Sequence, residues 1–555
     1  MDAPIFQERP YQIEALSAIR RGFNEGVDAQ VLVVPTGGGK TIIFSNLTKI
    51  AVRKGHKVLI LAHREELLQQ AQDKLWNSQG IQSSFERAES RASLDAQVVI
   101  ASVQSLCRPE RLARFPQDHF HLIIIDEAHR SLAQSYMKII QHFHRGTIQV
   151  LDEDENAKAG DLIDYKCPGT AYLLGVTATP DRGDKRALSA VYDKIAYEVR
   201  IRTLIADGYL SQIRCLSFPI KGNLKAVKST AGDYDVNGLA EQLGPILDEL
   251  ADQFVAKVQE YNRTKCLVFL PLVALSEAFA EKVEQRGIVA EHIDGKSSDR
   301  KEILERFRSG KTRVLCNAML LTEGYDEPGI DCVMVLRPTK IRALYCQMIG
   351  RGTRICEGKD HLLIIDPLWL GTSHQLCTPA SLVAETDQVK SLMDEKLKEH
   401  PDSLGEEDYL DMDLMHMERD AEEERLEKLR REVEANRRKK TKTYDPVEMG
   451  SALGESAIAD YEPTMAWEAG PVTINQKRAL ENFGVDAESM NCAGQASAIL
   501  DRIMVRAEKG LATPKQLLHL KRMRVRDADT LTIQQASAEL GRAWGGNYSK
   551  KKLKF

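Results

Sequence analysis

Runs of aliphatic and β-branched residues alternate with segments of helical spacing over the first two thirds of the chain. Five runs lie between residues 31 and 177, namely "VLVVP", "KVLILAH", "AQVVIAS", "HLIIIDE" and "AYLLGVT". Five more lie between residues 265 and 367, namely "KCLVFLP", "IVAEHID", "TRVLCNA", "CVMVLRP" and "HLLIIDP". Because strands that alternate with helices form parallel sheets, the pattern predicts two tandem α/β domains, over 1–205 and 206–370. The acidic, turn-rich stretch 151–169 predicts an exposed hairpin or loop within the first series.

The alternation stops after residue 370. Residues 371–470 include "MERDAEEERLEKLRREVEANRRKK", in which Leu426, Leu429 and Val433 form an apolar seam. That seam is too short for a coiled coil, so it predicts a solvated spacer helix. The following "TKTYDPVEMGSALGESAIADYEPT" has the composition of a linker. We therefore interpret 371–470 as a charged helical linker.

The C-terminal residues contain a duplication with a period of 40 residues. Identical residues at that offset are Thr473/Thr513, Gln476/Gln516, Leu480/Leu520, Val485/Val525, Gln495/Gln535, the "ASA" of 496–498 and 536–538, Leu500/Leu540 and Arg502/Arg542. Thr-x-x-Gln has the spacing of a helix capping box, and "TIQQ" at Thr532 repeats it. The repeat predicts a module of two helical hairpins over 471–546, followed by a basic tail over 547–555.

Composition bounds the class of protein. The chain has 555 residues, enough for about three or four domains of ~150 residues each. It contains no apolar run of 18 residues, and its N-terminus lacks a signal-peptide pattern, so we expect a cytoplasmic protein with no membrane partner. The ten cysteines are scattered, with no C-x-x-C pair. This spacing predicts reduced thiols that serve as packing, without zinc or disulfides.

Charge is unevenly distributed around a net value of −5. Residues 385–434 carry 19 Asp/Glu against 8 Lys/Arg, whereas residues 513–555 carry 10 Lys/Arg against 3 Asp/Glu. The first repeat, 471–512, is balanced with five of each, so the duplicated scaffold does not require the basic charge. This asymmetry permits a polyanionic partner at the C-terminus. The candidate contacts are Lys521, Arg522, Arg524 and Arg526.

A glycine loop lies between the first strand and a helix. The segment "VVPTGGGKTIIF", residues 33–44, nearly matches the phosphate loop G-x-x-x-x-G-K-[ST], with Val34 at the position of the first glycine. The backbone of Thr36–Gly39 is expected to surround a phosphate at the helix N-terminus. Lys40 then reaches the β- and γ-phosphates, and the Thr41 hydroxyl ligates Mg²⁺.

Two carboxylates end a later strand of the same series. Asp126 and Glu127 follow the strand "HLIII", at the sheet edge where open α/β sheets bind ligands. We expect Asp126 to hold Mg²⁺ through water and Glu127 to orient or deprotonate the attacking water. Together with the loop, they predict hydrolysis of ATP with Mg²⁺.

Two arginines in the second domain complete the predicted site. The segment "QMIGRGTR", residues 347–354, places Arg351 and Arg354 three residues apart, so both can project from one helical face. Such arginines stabilise charge on a phosphate bound by the facing domain. Gln347 accompanies them on the same helix.

In the order of its motifs, the chain resembles the superfamily 2 helicases, which have paired RecA-like domains. "PTGGGKT", "DEAH", "TAT", "TEGYDEPGID" and "QMIGRGTR" resemble motifs I, II, III, V and VI, and "RPYQIEAL" resembles the adenine-recognition element. "LAHREELLQQ", "ASVQSL" and "LVFL" resemble motifs Ia, Ic and IV. The likeness covers about residues 5–370 and is closest to the RadD-like and XPB-like DNA helicases. In this family the first loop residue is commonly not glycine, so Val34 is no obstacle.

The resemblance implies further roles. Gln12 reads adenine, and Gly324 and Asp326 sense the nucleotide from the second domain. Residues implied to couple hydrolysis to nucleic acid are His129, Thr177 and Thr179. Residues implied to contact the nucleic-acid backbone are Arg64, Ser102, Gln104 and Thr322.

The implied activity is ATP-dependent unwinding or branch migration on single-stranded, forked or branched DNA, with movement from 3′ to 5′. Three alternatives stay open: a DNA translocase motor of a restriction, defence or remodelling complex, an RNA helicase, and an ATP-gated clamp without motor activity. The C-terminal module leaves a protein partner open as well.

Overall fold

The computed structural model describes residues 8–63, 68, 71–73, 75–76, 80–151, 162–178, 188–220, 224, 227–230, 233–322, 325–369, 376–384, 387–399, 410–436, 444–454, 458, 461–463, 465 and 467–543. Two compact units divide the chain. The first contains Met1–Ala384 and Met393–Glu418, and the second contains Glu385–Leu392 and Arg419–Phe555. The predicted basic tail and three predicted site residues, Arg64, Thr179 and Gly324, lie outside the described residues.

The first unit contains two seven-stranded sheets, and the N-terminal sheet is entirely parallel. Its strand order is β3-β4-β2-β5-β8-β1-β9. Its strands are β1 (Ala29–Val33), β2 (Val58–Ala62), β3 (Ser84–Glu86), β4 (Val98–Ser102), β5 (Leu122–Asp126), β8 (Tyr172–Thr177) and β9 (Lys194–Glu198). Its helices are α1 (Pro10–Asn24), α2 (Lys40–Arg53), α3 (Val103–Leu106), α4 (Pro109–Leu112), α5 (Gln134–Phe143) and α6 (Ile201–Ala206).

A hairpin interrupts this sheet in sequence. Strands β6 (Thr147–Leu151) and β7 (Leu162–Lys166) pair antiparallel with each other. Of the two forms expected for 151–169, an exposed hairpin or a loop, the structure has a hairpin that begins earlier, at Thr147. Ile163 and Tyr165 are exposed on it.

The second sheet has the order β15-β16-β14-β17-β18-β10-β20 and is parallel except for β20. Its strands are β10 (Gln212–Ser217), β14 (Cys266–Phe269), β15 (Ala290–Ile293), β16 (Val314–Asn317), β17 (Cys332–Val335), β18 (His361–Ile365) and β20 (Leu410–Asp413). Its helices are α7 (Val236–Leu243), α8 (Leu247–Glu260), α9 (Val273–Gln285), α10 (Arg300–Arg308), α11 (Arg342–Gly350) and α12 (Ala380–Val383). Two short pairs add β11 (Pro219–Ile220) with β19 (Leu368–Trp369) and β12 (Ser229–Thr230) with β13 (Asp233–Tyr234).

All ten predicted strands are present. Most are buried on both faces and read as continuous apolar runs, whereas β15 is only partly buried at Glu291 and His292. The predicted class of two parallel sheets flanked by helices is confirmed. In the two large sheets the strands that the pattern did not indicate are β3, β9, β10 and β20, which are short or lie toward the sheet edges. The two-residue strands β11, β12, β13 and β19 were not indicated either. In β9 both ends are exposed and Lys194 and Glu198 break the apolar run.

The interpretation of residues 371–470 as a linker needs correction in two places. Strand β20 pairs antiparallel with β10, so the second sheet extends beyond the predicted domain end at residue 370. Helix α15 (Pro446–Ala452) forms where the sequence resembles a linker. Its Met449, together with Leu453 and Ile458, belongs to the core of the C-terminal helices. Glycines separate these few apolar residues, so no helical period is visible in the sequence.

The charged helix also differs from its prediction. Helix α13 (Asp387–Glu399) precedes it, and the charged helix itself is α14 (Leu414–Asn436). Its buried positions are Leu414, Glu418, Ala421 and Arg425, which share one helical face. Within the first unit, Arg202 donates to Glu418 at 2.8 Å. The N-terminal half of the helix is therefore a buried element, not a solvated spacer.

The predicted duplication consists of two helical hairpins, α16 (Ile474–Phe483) with α17 (Ala493–Glu508) and α18 (Pro514–Arg522) with α19 (Ile533–Ala543). Capping boxes begin α16 at Thr473 and α18 at Thr513. The Gln476 side chain donates to Ser497 at 2.8 Å, and Gln516 donates to Ser537 at the same distance. The repeated Thr, Gln and Ser thus form the same hydrogen-bonded joint in both hairpins.

Two further observations concern the whole chain. All ten cysteines lie in the described part, where none forms a disulfide and seven are buried. Of the helices that the structure describes, none combines the length and the apolar character that a membrane span requires.

We predict that Met449→Ala lowers the free energy of unfolding of the C-terminal helices by roughly 2–5 kcal/mol, because it leaves a cavity in their core. Val447→Ala, on the same helix but only half-buried, is the matched control and should cost much less. Hydrogen exchange of peptides from 473–543 in the full chain measures the effect. Equal protection from hydrogen exchange in the two variants would contradict the packing role of residues 444–454 and support the linker interpretation.

Candidate nucleotide-binding site

The glycine loop joins β1 to the N-terminus of α2. Gly37 and Gly39 have φ angles of 84° and 76°, in the left-handed region that favours glycine. The Gly38 amide donates to the Pro35 carbonyl at 3.0 Å, which closes a turn. Lys40 is the first residue of α2, so the loop directs it and the free amides of the helix terminus toward one point.

Val34, at the position of the missing first glycine, is completely buried beneath this loop. A Cβ added to Gly38 would lie 2.6 Å from Val34 Cγ1, so the glycine is needed at 38 and not at 34. The Val34 amide donates to the carbonyl of Thr177, the last residue of β8, at 3.0 Å. The departure from the consensus therefore leaves the loop intact.

The predicted adenine-recognition element packs against the same loop. Gln12 is buried in the first turn of α1, and a Cβ at Gly39 would lie 2.6 Å from its Nε2. The Tyr11 hydroxyl donates to the Gly38 carbonyl at 2.5 Å. The Arg9 guanidinium lies over the ring of Tyr209, 5.0 Å from its centroid. The contact between Arg9 and Tyr209 was not indicated by the sequence, because the two residues are 200 positions apart.

The acidic pair lies at the end of β5, and Glu127 faces the loop lysine. Lys40 Nζ is 3.5 Å from Glu127 Oε1, and His129 Nδ1 is 3.4 Å from Glu127 Oε2. Glu127 has a φ of 61°, which is costly for a residue other than glycine and is typical of functional sites. The Asp126 carboxylate accepts the Glu127 amide at 3.1 Å.

Charge around Glu127 favours its ionised form. Burial by itself raises the pKa of the Glu127 carboxyl, but Lys40, His129 and Arg351 outweigh burial and hold the pKa below its usual value. Glu127 is 9% exposed, and its Oε2 is buried with no hydrogen-bond partner among the described residues. An ionised, unsatisfied oxygen beside a lysine and a helix N-terminus fits a water molecule held against a bound phosphate and Mg²⁺. Thr41 and Asp126 are the residues that would hold the metal.

The second domain contributes α11 and the segment that follows it. Gln347 is buried on this helix. Arg351 is 7% exposed and donates to the carbonyls of Thr322, at 2.6 Å, and Tyr325, at 2.7 Å. These bonds fix its guanidinium, whose charge acts on Glu127 in the other domain.

Arg354 lies against the phosphate loop. A Cβ at Gly37 would be 3.4 Å from its Cγ, and its Nη1 is 2.9 Å from Asp326 Oδ1. The predicted nucleotide-sensing residue Asp326 therefore holds the predicted finger. The structure thus brings Arg354 to the phosphate loop and places the charge of Arg351 within reach of Glu127.

Gly350, the last residue of α11, lies against Thr36 of the phosphate loop in the other domain. A Cβ there would lie 2.5 Å from Thr36 Cβ. The Thr353 hydroxyl is 3.3 Å from the Thr36 carbonyl, to which it donates. The sequence could not identify Gly350 as a contact, although a glycine inside a helix is a signal of close approach.

The predicted nucleic-acid contacts have mixed surroundings. Ser102 and Gln104 are hydrogen bonded to each other at 2.7 Å, and Gln104 also reaches His63. Thr322 is only 1% exposed, and its hydroxyl donates to the Met319 carbonyl at 2.7 Å. The Thr322 side chain is therefore buried and hydrogen bonded within the protein, so it is not accessible to a DNA backbone. Thr177 is likewise fully buried.

Two of the four predicted basic contacts in the C-terminal module are engaged within it. Lys521 Nζ is 2.8 Å from Asp529 Oδ1. Arg522 donates to Glu448 at 2.7 Å and lies over the ring of Tyr444. Arg522 thus fastens α15 to α18, which the sequence could not indicate while 441–464 resembled a linker. Arg524 and Arg526 are exposed.

A phosphate loop, an acidic pair and two arginines that meet between two parallel sheets define a P-loop protein with paired RecA-like domains. Residues 5–182 match the family model of the type III restriction enzyme res subunit, and residues 246–356 match that of the helicase conserved C-terminal domain. Together these models cover just over half of the chain. The chain belongs to the superfamily 2 helicases.

Two curated yeast proteins are similar to the chain. A protein named as the ATP-dependent helicase IRC3 of Saccharomyces cerevisiae is 35% identical over 401 residues, which is 70% of this chain and 55% of that protein. A protein named as the mitochondrial ATP-dependent helicase irc3 of Schizosaccharomyces pombe is 33% identical over 365 residues, or 64% of this chain and 57% of that protein. The chain therefore spans just over half the length of these relatives.

A solved structure with a similar fold is the ATP-dependent type ISP restriction-modification enzyme LlaBIII bound to DNA. It superposes with a TM-score of 0.50 and 16% identity over 97% of this chain and 42% of that chain. At this identity the likeness concerns the fold alone.

We predict that Gly350→Ala blocks the approach of the two domains, because its Cβ would overlap Thr36. Hydrolysis should fall by roughly 10³-fold, the factor that arginine fingers typically contribute, while ATP still binds to the first domain. Gly244→Ala in the second domain, where a Cβ meets open space, is the control. Steady-state hydrolysis and ATP-binding titrations separate the two steps, and normal hydrolysis by Gly350→Ala would contradict the proposed approach.

Proposed function

We propose that the protein is an ATP-dependent translocase or helicase that acts on DNA, with Mg²⁺ as its cofactor. The observation that carries the proposal is the convergence of Lys40, Glu127 and Arg351 across the two RecA-like domains. Lys40 is 3.5 Å from Glu127, and the charge of Arg351 lowers the pKa of the same carboxyl. The residues of a hydrolytic site thus come from both domains, so hydrolysis and domain movement are linked.

Phosphate binding falls to the loop and α2. The amides of Gly37–Gly39 and the N-terminus of α2 attract the phosphates, and Lys40 neutralises the β- and γ-phosphates. Thr41 and Asp126 would hold Mg²⁺, which when bound would neutralise charge on the phosphate oxygens. When phosphate binds, Lys40 exchanges its contact with Glu127 for the nucleotide, which frees Glu127 for water.

Glu127 then acts on the attacking water. Its low pKa keeps it ionised at neutral pH, so it can accept a proton or orient the water by hydrogen bonding. Arg351 and Arg354 stabilise the charge that develops on the transferred phosphoryl group. Both reach the site only when Gly350 lies against Thr36, so hydrolysis reports domain closure.

Coupling to nucleic acid is assigned to residues beside the site. His129 contacts Glu127, and Thr177 supports Val34 beneath the loop, so a shift in either reaches the catalytic groups directly. Thr179 follows in the same segment and has the same proposed role. Backbone contacts are proposed for Arg64, Ser102 and Gln104 on the first domain.

DNA is the proposed substrate because the N-terminal family model is that of a restriction-enzyme subunit and the similar LlaBIII structure is bound to DNA. Movement from 3′ to 5′, on single-stranded, forked or branched DNA, completes the proposal. A translocase motor within a restriction or remodelling complex and an RNA helicase are the other candidates. The location is proposed to be cytoplasmic, with the mitochondrial name of one relative as the alternative.

We predict that ATP hydrolysis is stimulated more by single-stranded or forked DNA than by RNA. The test measures turnover with single-stranded DNA, duplex DNA, forked DNA and RNA. Glu127→Gln should abolish turnover and keep ATP affinity within severalfold, since Glu127 acts on water and not on phosphate. Stimulation by RNA alone would contradict DNA as the substrate and assign RNA instead. Near-normal turnover by the Glu127→Gln variant would contradict the catalytic role of Glu127.

The C-terminal module is proposed as a second DNA-docking element, with a protein partner as the alternative. Since Lys521 and Arg522 are engaged in ion pairs, Arg524 and Arg526 carry the proposal. Truncation after residue 470 would remove most of a core that also contains Met449 and Ile458. Substitutions are therefore the cleaner test.

We predict that Arg524→Ala with Arg526→Ala weakens DNA binding and lowers the salt slope of affinity by roughly 1.4–1.8, because each lost phosphate contact removes about 0.7–0.9. ATP hydrolysis without DNA should not change. Arg478→Ala with Lys509→Ala, which removes the same charge from exposed positions of the first hairpin, is the matched control. Equal dependence of DNA affinity on salt concentration in the two double variants would contradict the docking role.

A further inference from the structure

The segment Gly352–Arg354, which follows α11 and carries a proposed finger, has all three of its carbonyls bonded from outside. The Gly352 carbonyl accepts the Lys359 amine. The Thr353 carbonyl accepts the Ser211 amide at 2.8 Å. The Arg354 carbonyl accepts both the Ser211 hydroxyl, at 2.9 Å, and Lys359 Nζ, at 2.8 Å. These carbonyls lie beyond the end of α11 at Gly350, so the two residues hold the segment that follows the helix and not the helix itself.

Ser211 belongs to the connection between the two sheets, directly before β10, and it is 6% exposed. The two residues before it face other parts of the nucleotide site. The Tyr209 ring lies beneath the Arg9 guanidinium, and a Cβ at Gly37 would be 3.0 Å from Leu210 Cδ2. Three consecutive residues thus contact the adenine element, the phosphate loop and the finger segment.

Lys359 lies in the turn between α11 and β18 and is partly buried. Its ammonium group bridges two carbonyls of the finger segment, where the negative end of the α11 dipole favours a positive charge. The Lys359 ammonium group therefore holds the same backbone segment that carries the Arg354 side chain. Neither Ser211 nor Lys359 lies within the family motifs noted above.

We propose that Ser211 and Lys359 are positioning residues that hold the Gly352–Arg354 backbone, so that Arg354 stays aligned with the γ-phosphate. The inference rests on the proposed hydrolysis of ATP at this site. Both residues act through Arg354 and touch no reacting atom. Loss of either should lower kcat and leave the KM for ATP nearly unchanged, because nucleotide binding depends on the first domain.

The titration of Lys359 should make turnover depend on pH in a way that tests its positioning role. Burial is the largest of the effects that lower the pKa of Lys359 from 10.5 to about 8. Asp331 and Cys356 oppose it, and Arg354 and Arg263 act in the same direction as burial. The charged form is therefore lost as pH rises through about 8. Because the pKa of Lys359 is lower in the folded state than in the unfolded chain, protonation of this group opposes folding at low pH. The free energy of unfolding therefore rises as pH increases from about 8 to 10.5. A fall in turnover between pH 8 and 10.5 therefore cannot be caused by a loss of stability from the titration of Lys359.

The experiment compares DNA-stimulated turnover from pH 7 to 9.5 in the 555-residue chain and its variants. Wild type should lose kcat above about pH 8, and Lys359→Arg should retain turnover through the whole range, since arginine stays charged. Lys359→Met should be about tenfold slower at pH 7.5, equivalent to roughly 1.4 kcal/mol, with a flat profile. Ser211→Ala should lower kcat and keep the alkaline fall. Lys311→Met, at an exposed position of the second domain, is the control.

The outcomes separate this inference from the proposed function. A wild-type protein without DNA-stimulated turnover would overturn the proposed function itself. Normal turnover with a wild-type pH profile in Lys359→Met would overturn the positioning role and leave the function in place. If Lys359→Met fails to fold, Lys359→Arg decides: an alkaline fall that stays at the wild-type pH overturns the role, and its disappearance supports it.

Discussion

The close approach of Gly350 to Thr36 is the constraint on which the rest of the site depends. A methyl group at residue 350 would lie 2.5 Å from Thr36 Cβ, so only glycine lets the end of α11 reach the phosphate loop. Arg351 and Arg354 follow directly in the chain, and this contact therefore sets their distance from Lys40 and Glu127. A site divided between two domains in this way is complete only in one relative arrangement, which is what a motor needs in order to convert hydrolysis into movement.

Electrostatics at the junction depend on the same approach. Glu127 is buried, which disfavours its charge, and it stays ionised because Lys40, His129 and Arg351 surround it. Arg351 belongs to the second domain, so separation of the domains removes part of the charge that supports the carboxylate. Arg351 keeps its position through the carbonyls of Thr322 and Tyr325, which belong to the segment resembling motif V. Bonds within one domain thus prepare a group that acts on the other.

The C-terminal module follows a different design. Its two hairpins repeat the same joint of threonine, glutamine and serine, which fixes each helix start and the crossing of each pair. Helix α15 adds a third layer that belongs to neither repeat and is held by Arg522, Glu448 and the burial of Met449. Lys521 and Arg522 of the second repeat therefore serve in ion pairs, whereas Arg524 and Arg526 are exposed and are the candidates for contact with a polyanion.

The sequence by itself determined ten of the fourteen strands of the two large sheets, the phosphate loop, the acidic pair, the arginines and the capping boxes, because each depends on neighbours within a few residues. Burial on both faces makes a strand a continuous apolar run, and a helix start needs its cap three residues away. Tertiary structure alone decided the short edge strands, the inclusion of 444–458 in the C-terminal core and the burial of Thr322. It also decided the contacts of Gly350 with Thr36 and of Ser211 with Thr353. These features join residues that lie tens to hundreds of positions apart, and local periodicity carries no signal for such pairs.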